Sequence, residues 1–277
     1  MQTALITGAT SGFGQIIAEQ LAAKGYRIIL LARSLEKADK LHKGILAKHP
    51  DCRMDIYECN LSSIDSILTA CKEIKSKHSN IDLLILNAAL WNSEFTETKD
   101  GIEETFEVNV IAQVLLFREL KSIIPESDSS KVIFTASALH QGNIDFQNIE
   151  FRNNFSGFKV YRQSKLGVIL LTRILAEKHP RLPIYCVHPG VVRTQLGRKA
   201  NWFSRMIFKI IGTSLEKGAS THMHLINTPS EKLTSGGYYA NSKLTNTTKE
   251  SYDMNVAQQL LDVVDEYLER WEVVSEH

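Results

Sequence analysis

Cysteine is scarce. Four occur among 277 residues (Cys52, Cys59, Cys71 and Cys186), with no Cys-x-x-Cys pair and no framework spacing. That pattern excludes a disulfide scaffold and reads as buried thiols in a reducing compartment. No Cys/His cluster has ligand spacing, so no metal is expected. An excess of one charge is also lacking: 32 Lys and Arg face 31 Asp and Glu, a formal net charge of +1. Nucleic acid and strongly acidic partners are therefore not expected. Long hydrophobic runs are missing as well. The first apolar run, Ala4-Leu5-Ile6, stops at Thr7-Gly8, too short for a signal peptide or a membrane span. A soluble, cytoplasmic chain is the expectation. No repeat, low-complexity tract or linker divides residues 1–277, so one domain is expected. Hydrophobic residues at 43% and charged residues at 23% exclude a disordered chain.

What is present is an alternation. Short apolar, partly β-branched runs at 3–6, 27–31, 54–58, 83–86, 131–135 and 184–187 read as strands buried on both faces. Helical patterns over 13–24, 35–48, 64–77, 101–120 and 161–178 lie between them. This predicts an α/β fold: a single doubly wound, Rossmann-type domain, its parallel sheet covered by helices on both faces. Ligands of such sheets bind outside the carboxyl ends of the strands.

The first strand runs into Thr7-Gly8-Ala9-Thr10-Ser11-Gly12-Phe13-Gly14 and then a helix. Glycines let the backbone turn tightly against a pyrophosphate, and the helix N-terminus offers N–H groups and positive dipole charge. Gly8, Thr10, Ser11, Gly12, Phe13 and Gly14 are thus candidate cofactor contacts; a plain βα turn is the competing reading. An NAD site places an acid about 20 residues beyond the glycines, for the ribose 2′-OH. Here Ala32 stands at the end of the second strand and Arg33 follows. A guanidinium pairs a 2′-phosphate, so NADP(H) is preferred and NAD(H) is the alternative. An exposed arginine at a helix start is the bland reading.

Tyr161-Arg162-Gln163-Ser164-Lys165 opens a long amphipathic segment. Residues four apart share a helix face, which sets the Lys165 ammonium beside the Tyr161 hydroxyl. A neighbouring cation is expected to lower the phenol's pKa and suit it to acid/base work on a carbonyl or alcohol. The spacing recurs at Tyr239-Ala240-Asn241-Ser242-Lys243. That copy follows Gly236-Gly237, precedes no helical pattern and reads as a strand, where residues four apart are distant. Tyr239 and Lys243 are therefore read as structural. Ser137, at the end of the fifth strand, is a candidate to hold the substrate oxygen or, blandly, a turn cap. Asn109 lies inside the apolar run Phe106–Val110, and a buried asparagine needs partners. Catalytic and structural readings are both open for it.

Taken together, these residues resemble the short-chain dehydrogenase/reductase family over nearly the whole chain. The glycine turn is similar to its cofactor motif. Asn109, Ser137, Tyr161 and Lys165 occur in the order of its catalytic tetrad. The resemblance implies that Ser137 orients the carbonyl, Tyr161 donates the proton, Lys165 also bonds the nicotinamide ribose, and Asn109 anchors a water linking Lys165 to solvent. It adds Asn60, Leu61, Asn87 and Ala88 as cofactor contacts. Pro189, Gly190, Val192 and Thr194 are added against the nicotinamide carboxamide. Within the family the chain looks like the retinol-dehydrogenase-like and WW-domain-oxidoreductase-like branch. The supporting features are Ser137-Ala138-Leu139-His140, the long Ser137-to-Tyr161 separation, His188-Pro189-Gly190, Gly237-Tyr238-Tyr239, and an amphipathic helix over 255–271. Three departures bear on cofactor affinity. The Asn-Asn-Ala-Gly stretch appears as Leu86-Asn87-Ala88-Ala89, the adenine-contacting aspartate is Asn60, and a basic residue common in NADP-preferring relatives is Ser11. The membrane anchor common among animal retinol dehydrogenases is not expected here.

A substrate lid is expected at about 195–215, where residues 202–211 are amphipathic and rich in large apolar groups. A packed surface helix and a membrane-surface helix are the other readings. The expected partner is a small, lipophilic carbonyl or alcohol substrate. The resemblance also implies a two-fold homodimer through the helices from Gly101 and Tyr161, unless the 137–161 segment, with Phe146, Phe151, Phe155 and Phe158, covers that face. Two functional classes follow: an NADP(H)-dependent oxidoreductase, or a nucleotide-sensing or protein-binding relative without turnover.

Overall fold

The computed structural model describes residues 1–190 and 214–275, with side chains described through Trp271. Its strands are β1 (Thr3–Thr7), β2 (Arg27–Ala32), β3 (Met54–Glu58), β4 (Leu83–Leu86), β5 (Lys131–Thr135), β6 (Ile184–His188), β7 (Tyr238–Ala240) and β8 (Lys243–Leu244). They form one sheet in the order β3-β2-β1-β4-β5-β6-β7-β8. The first seven strands run parallel, and β8 pairs antiparallel with β7. The order reverses between β1 and β4, which opens a crevice at their carboxyl ends.

The helices are α1 (Gly12–Ala23), α2 (Leu35–Leu46), α3 (Ile64–Lys77), α4 (Glu104–Phe106), α5 (Ala112–Leu120), α6 (Gly157–Lys178), α7 (Leu215–Asn227) and α8 (Met254–Ser275). Serines at 34, 63 and 214 accept backbone N–H groups at the starts of α2, α3 and α7, replacing partners that a first helical turn lacks.

Alternate residues of each central strand feed opposite cores, as the period of two requires. Leu5, Ile29 and Leu31 join Ile67, Leu116, Leu170 and Leu260 of α3, α5, α6 and α8. Ala4, Ile6, Ile28 and Leu30 join Ile17, Leu41 and Met223 of α1, α2 and α7. The chain is thus a single Rossmann-type α/β domain with helices on both faces.

The expected strands match to within a residue. The helix expected over 101–120 differs: Gly101 is a turn residue with φ of 75°, α4 starts at Glu104, and a π-helical stretch, Glu107–Ile111, joins it to α5. α6 starts at Gly157, one turn before Tyr161. The segment 191–213, with Val192, Thr194 and most of the expected lid, lies outside the described residues. No helix among the described residues is long and apolar enough to cross a membrane.

Candidate active site

The turn after β1 is built around one threonine hydroxyl. Thr7 Oγ1 accepts the N–H groups of Asn87, at 2.9 Å, and Ala88, at 3.0 Å. The Asn87 amide returns two bonds, to the carbonyls of Thr7 and Gly8, at 3.1 and 3.2 Å. This ties β1 to β4 at the point where the strand order reverses. A Cβ on Gly8 would sit 2.8 Å from Ala88 Cα, and one on Gly14 would sit 2.5 Å from the Gly8 carbonyl oxygen. Side chains are therefore excluded at both positions.

The residues present fit a dinucleotide. α1 begins at Gly12, its N-cap Ser11 makes no side-chain capping bond, and its first turn holds no acid. Its leading N–H groups and dipole suit an anion. Asn87 Oδ1 is buried without a protein partner. Thr10 is partly exposed on the turn; Phe13 is half-buried, its ring 5.6 Å from that of His222.

Arg33 directly follows β2, is exposed, and forms no ion pair with the other described residues. Asn60, just beyond β3, has its Oδ1 engaged by the N–H and hydroxyl of Ser62, at 3.3 and 2.9 Å. Its own N–H is held by Ser66 Oγ at 2.9 Å. An Asn whose oxygen is already taken cannot accept as freely as an aspartate would. Leu61 packs against the core.

Across the crevice, α6 carries Tyr161 and Lys165 one turn apart, both buried. The Ser137 hydroxyl stands beside the Tyr161 hydroxyl, and its Oγ accepts the Leu139 N–H at 3.1 Å. Lys165 Nζ donates to the Thr135 carbonyl at 3.0 Å and lies 5.6 Å from the Tyr161 ring centroid. Trp91 stacks on the Tyr161 ring at 5.1 Å and 15°. The structure corrects the expected fall in the phenol's pKa. Burial pushes Tyr161 up to about 12, opposed by the neighbouring Ser137 hydroxyl. Burial also pushes Lys165 down to about 8. A cation that is itself desolvated, with its proton directed at a carbonyl, does not offset the cost of a buried phenolate.

Asn109 sits in the π-helical stretch. Its amide exchanges two bonds with the backbone of Leu90, both 2.9 Å, and donates to Ser164 Oγ at 3.0 Å. Ser164 in turn donates to the Tyr161 carbonyl at 2.8 Å. The side chain thus makes the structural bonds that burial demands, joining the loop after β4 to the helix of Tyr161. Pro189 and Gly190 follow β6 directly, Gly190 with φ of 84°.

The second Tyr-xxx-Lys copy is a hairpin. Ala240 pairs with Lys243 and Tyr239 with Leu244, around Asn241 and Ser242 with φ of 50° and 60°. The Tyr239 hydroxyl accepts the Thr234 N–H at 2.7 Å, and Lys243 is exposed. Clefts of about 480, 380 and 520 Å³ open elsewhere, and none is lined by Ser137, Tyr161 or Lys165. No group of three or more His, Cys, Asp or Glu among the described residues could hold a metal.

The short chain dehydrogenase family model matches residues 2–203. The chain belongs to the short-chain dehydrogenase/reductase family. Among its relatives, retinol dehydrogenase 14 of Mus musculus is 31% identical over 281 residues, covering 95% of this chain and 84% of the relative. Polyprenol dehydrogenase of Homo sapiens is 29% identical, covering 94% and 82%. An alcohol dehydrogenase of Thermococcus sibiricus, solved with 5-hydroxy-NADP, superposes with a TM-score of 0.68 at 20% identity, covering 87% and 95%. An NADPH-bound carbonyl reductase from chicken fatty liver superposes with a TM-score of 0.65 at 21% identity, covering 89% and 99%.

Four residues of this short-chain dehydrogenase/reductase were not singled out from sequence: Trp91 on the Tyr161 ring, and His140, Tyr238 and His188 around Ser137. His140, His188 and Tyr238 stood inside quoted motifs, but nothing in a linear sequence shows three strand ends converging on one serine.

Proposed function

We propose that this family member is an NADP(H)-dependent oxidoreductase that interconverts a lipophilic aldehyde or ketone with its alcohol. The observation that carries the proposal is the buried Tyr161, with the Ser137 hydroxyl beside it and Lys165 one turn along the same helix. Glycines 8, 12 and 14 with the N-terminus of α1 would cradle the pyrophosphate, Arg33 the 2′-phosphate, and Asn60 with Leu61 the adenine. Asn87, Ala88, Lys165, Pro189, Gly190, Val192 and Thr194 would flank the nicotinamide riboside. The bound nicotinamide supplies or accepts the hydride.

The chain's residues handle the proton. Ser137 Oγ–H holds the carbonyl oxygen in place, and Tyr161, kept neutral by burial, donates its proton to that oxygen as charge develops. In the oxidative direction Tyr161 must take a proton, and a charged Lys165 offsets the phenolate. Asn109 sets the loop after β4 against α6. The lipophilic substrate and the retinol-dehydrogenase-like branch are supported by the 31% identity with retinol dehydrogenase 14. Free, largely buried thiols support a reducing compartment. The test is turnover of a panel of short and long aldehydes and ketones with NADPH and NADH. Oxidation of NADPH that depends on the carbonyl compound is expected. Tight NADPH binding with no turnover across the panel would favour a nucleotide sensor instead.

A further inference from the structure

The serine that faces Tyr161 stands where strand pairing runs out. The β5–β6 ladder ends with the Ala136 N–H donating to the Val187 carbonyl at 2.8 Å. Two residues on, the next N–H on that side of β5 belongs to Ala138, and it donates to His188 Nδ1 at 3.2 Å. An imidazole thus continues the ladder one step beyond the backbone. On the other side, the Ser137 carbonyl accepts His140 Nδ1–H at 2.8 Å and the Tyr238 hydroxyl at 3.1 Å. The rings of His140 and Tyr238 lie 5.4 Å apart.

These bonds fix the proton positions. His188 accepts at Nδ1, so its proton is on Nε2; His140 donates from Nδ1. Burial favours the neutral form of both rings. With Leu139 N–H on Ser137 Oγ, every polar group from the Ser137 hydroxyl to the Ala138 N–H has a partner, and the loop has no spare bond with which to shift. His188 also directly precedes Pro189 and Gly190.

We propose that His188 is a positioning residue: its Nδ1 locks the Ser137 loop to the end of β6, so that Ser137 Oγ keeps its place against the Tyr161 hydroxyl. This rests on the acid/base reading of Ser137 and Tyr161 given above. His140 and Tyr238 hold the same loop from its carbonyl side. His188 touches neither substrate nor cofactor in this role; it acts through Ser137.

The test compares His188→Ala, His188→Asn and Tyr238→Phe. An asparagine can present its Oδ1 close to where Nδ1 lies and accept the Ala138 N–H. Hydrogen exchange over 136–140 should quicken about tenfold in His188→Ala, the loss of one bond, and recover in His188→Asn. Turnover of the carbonyl substrate should fall about 10- to 100-fold in His188→Ala with KM and NADPH affinity little changed, as for a displaced catalytic group. Most of it should return in His188→Asn, and Tyr238→Phe should show a smaller loss of both. Unchanged exchange in folded His188→Ala overturns the proposal, as does His188→Asn behaving like His188→Ala. Tyr161→Phe separates the two readings: full turnover in that variant sinks the acid/base assignment, while the exchange data still decide whether His188 holds the loop.

Discussion

At the scale of single residues, the two Tyr-xxx-Lys runs are the sharpest contrast. Tyr161 lies in a helix, beside the Ser137 hydroxyl and stacked on Trp91. Tyr239 lies in a hairpin strand and holds the Thr234 N–H. Tyr161→Phe removes one oxygen and should lower turnover by about 10²–10⁴, whereas Tyr239→Phe should stay within a few-fold, both measured as steady-state rates. The pH dependence follows from burial. With the phenol pushed up to about 12, it stays protonated through neutrality. Carbonyl reduction should therefore be flat from about pH 6 to 7, where Lys165, pushed down to about 8, also keeps its charge, and alcohol oxidation, which needs the phenolate, should rise with pH over that range. A reductive rate that halves near neutrality would show that a different proton is being counted. Arg33 is read from the same kind of local chemistry. Arg33→Ala should weaken NADPH binding roughly tenfold or more and leave NADH nearly unchanged in a binding titration, since only NADPH carries the group it pairs. Residue chemistry of this kind was legible because spacing and residue type alone state it. The direction of the Tyr161 shift was not, because desolvation depends on what covers the ring, including Trp91 from a loop 70 positions away in sequence.

At the scale of elements, the strands were legible because strands buried on both faces are short continuous apolar runs. The irregular joint between α4 and α5 was not. An apolar run with helical periodicity does not reveal that one turn is widened, and π-helical turns are rare. That turn carries Asn109, whose side chain bonds Leu90 and Ser164, and also Glu107, fully buried. Burial pushes the Glu107 carboxyl up to about 8, with nearby Thr98 opposing and Asp100 adding to the rise. A group whose pKa is raised on folding contributes stability that is fully present below its unfolded value and is lost as pH rises through the folded value. Glu107 should therefore cost stability progressively from about pH 4.5 to about 8. Glu107→Gln keeps the shape and removes the titration. Its melting temperature should decline less across that window than the unsubstituted protein's, and the two should be closest at the acid end. Parallel curves by calorimetry would show that Glu107 is not the group responsible. α7 is hard to see in the sequence for a simpler reason: its polar start, Ser214, falls at the end of the expected 195–215 lid.

At the scale of the whole molecule, α8 and the 137–161 segment bear on how the domain would meet others of its kind. The family resemblance implies pairing through the helices from Gly101 and Tyr161. In this chain α8 lies on those elements. Leu260, Leu261, Val264 and Leu268 are buried in the core that holds Leu166, Leu170 and Val110. Arg118 of α5 pairs with Asp265, and the Phe106 and Tyr267 rings meet at 5.8 Å. The long 137–161 segment closes the same side: Phe146 packs against this core, while Glu150 accepts the Tyr267 hydroxyl and the Glu103 N–H, each at 2.7 Å. Two separate additions to the basic βα alternation thus occupy the surface that a partner subunit would need. Two-fold pairing requires that one patch be free on both copies, and here it is spent internally. The expected state is a monomer at micromolar concentration by light scattering. Removing residues 254–277 should expose the apolar faces of α5 and α6 and produce a dimer or larger species. A stable dimer of the full chain would mean that pairing uses another face, and then the truncated chain should keep the same contact and the same mass ratio to its monomer.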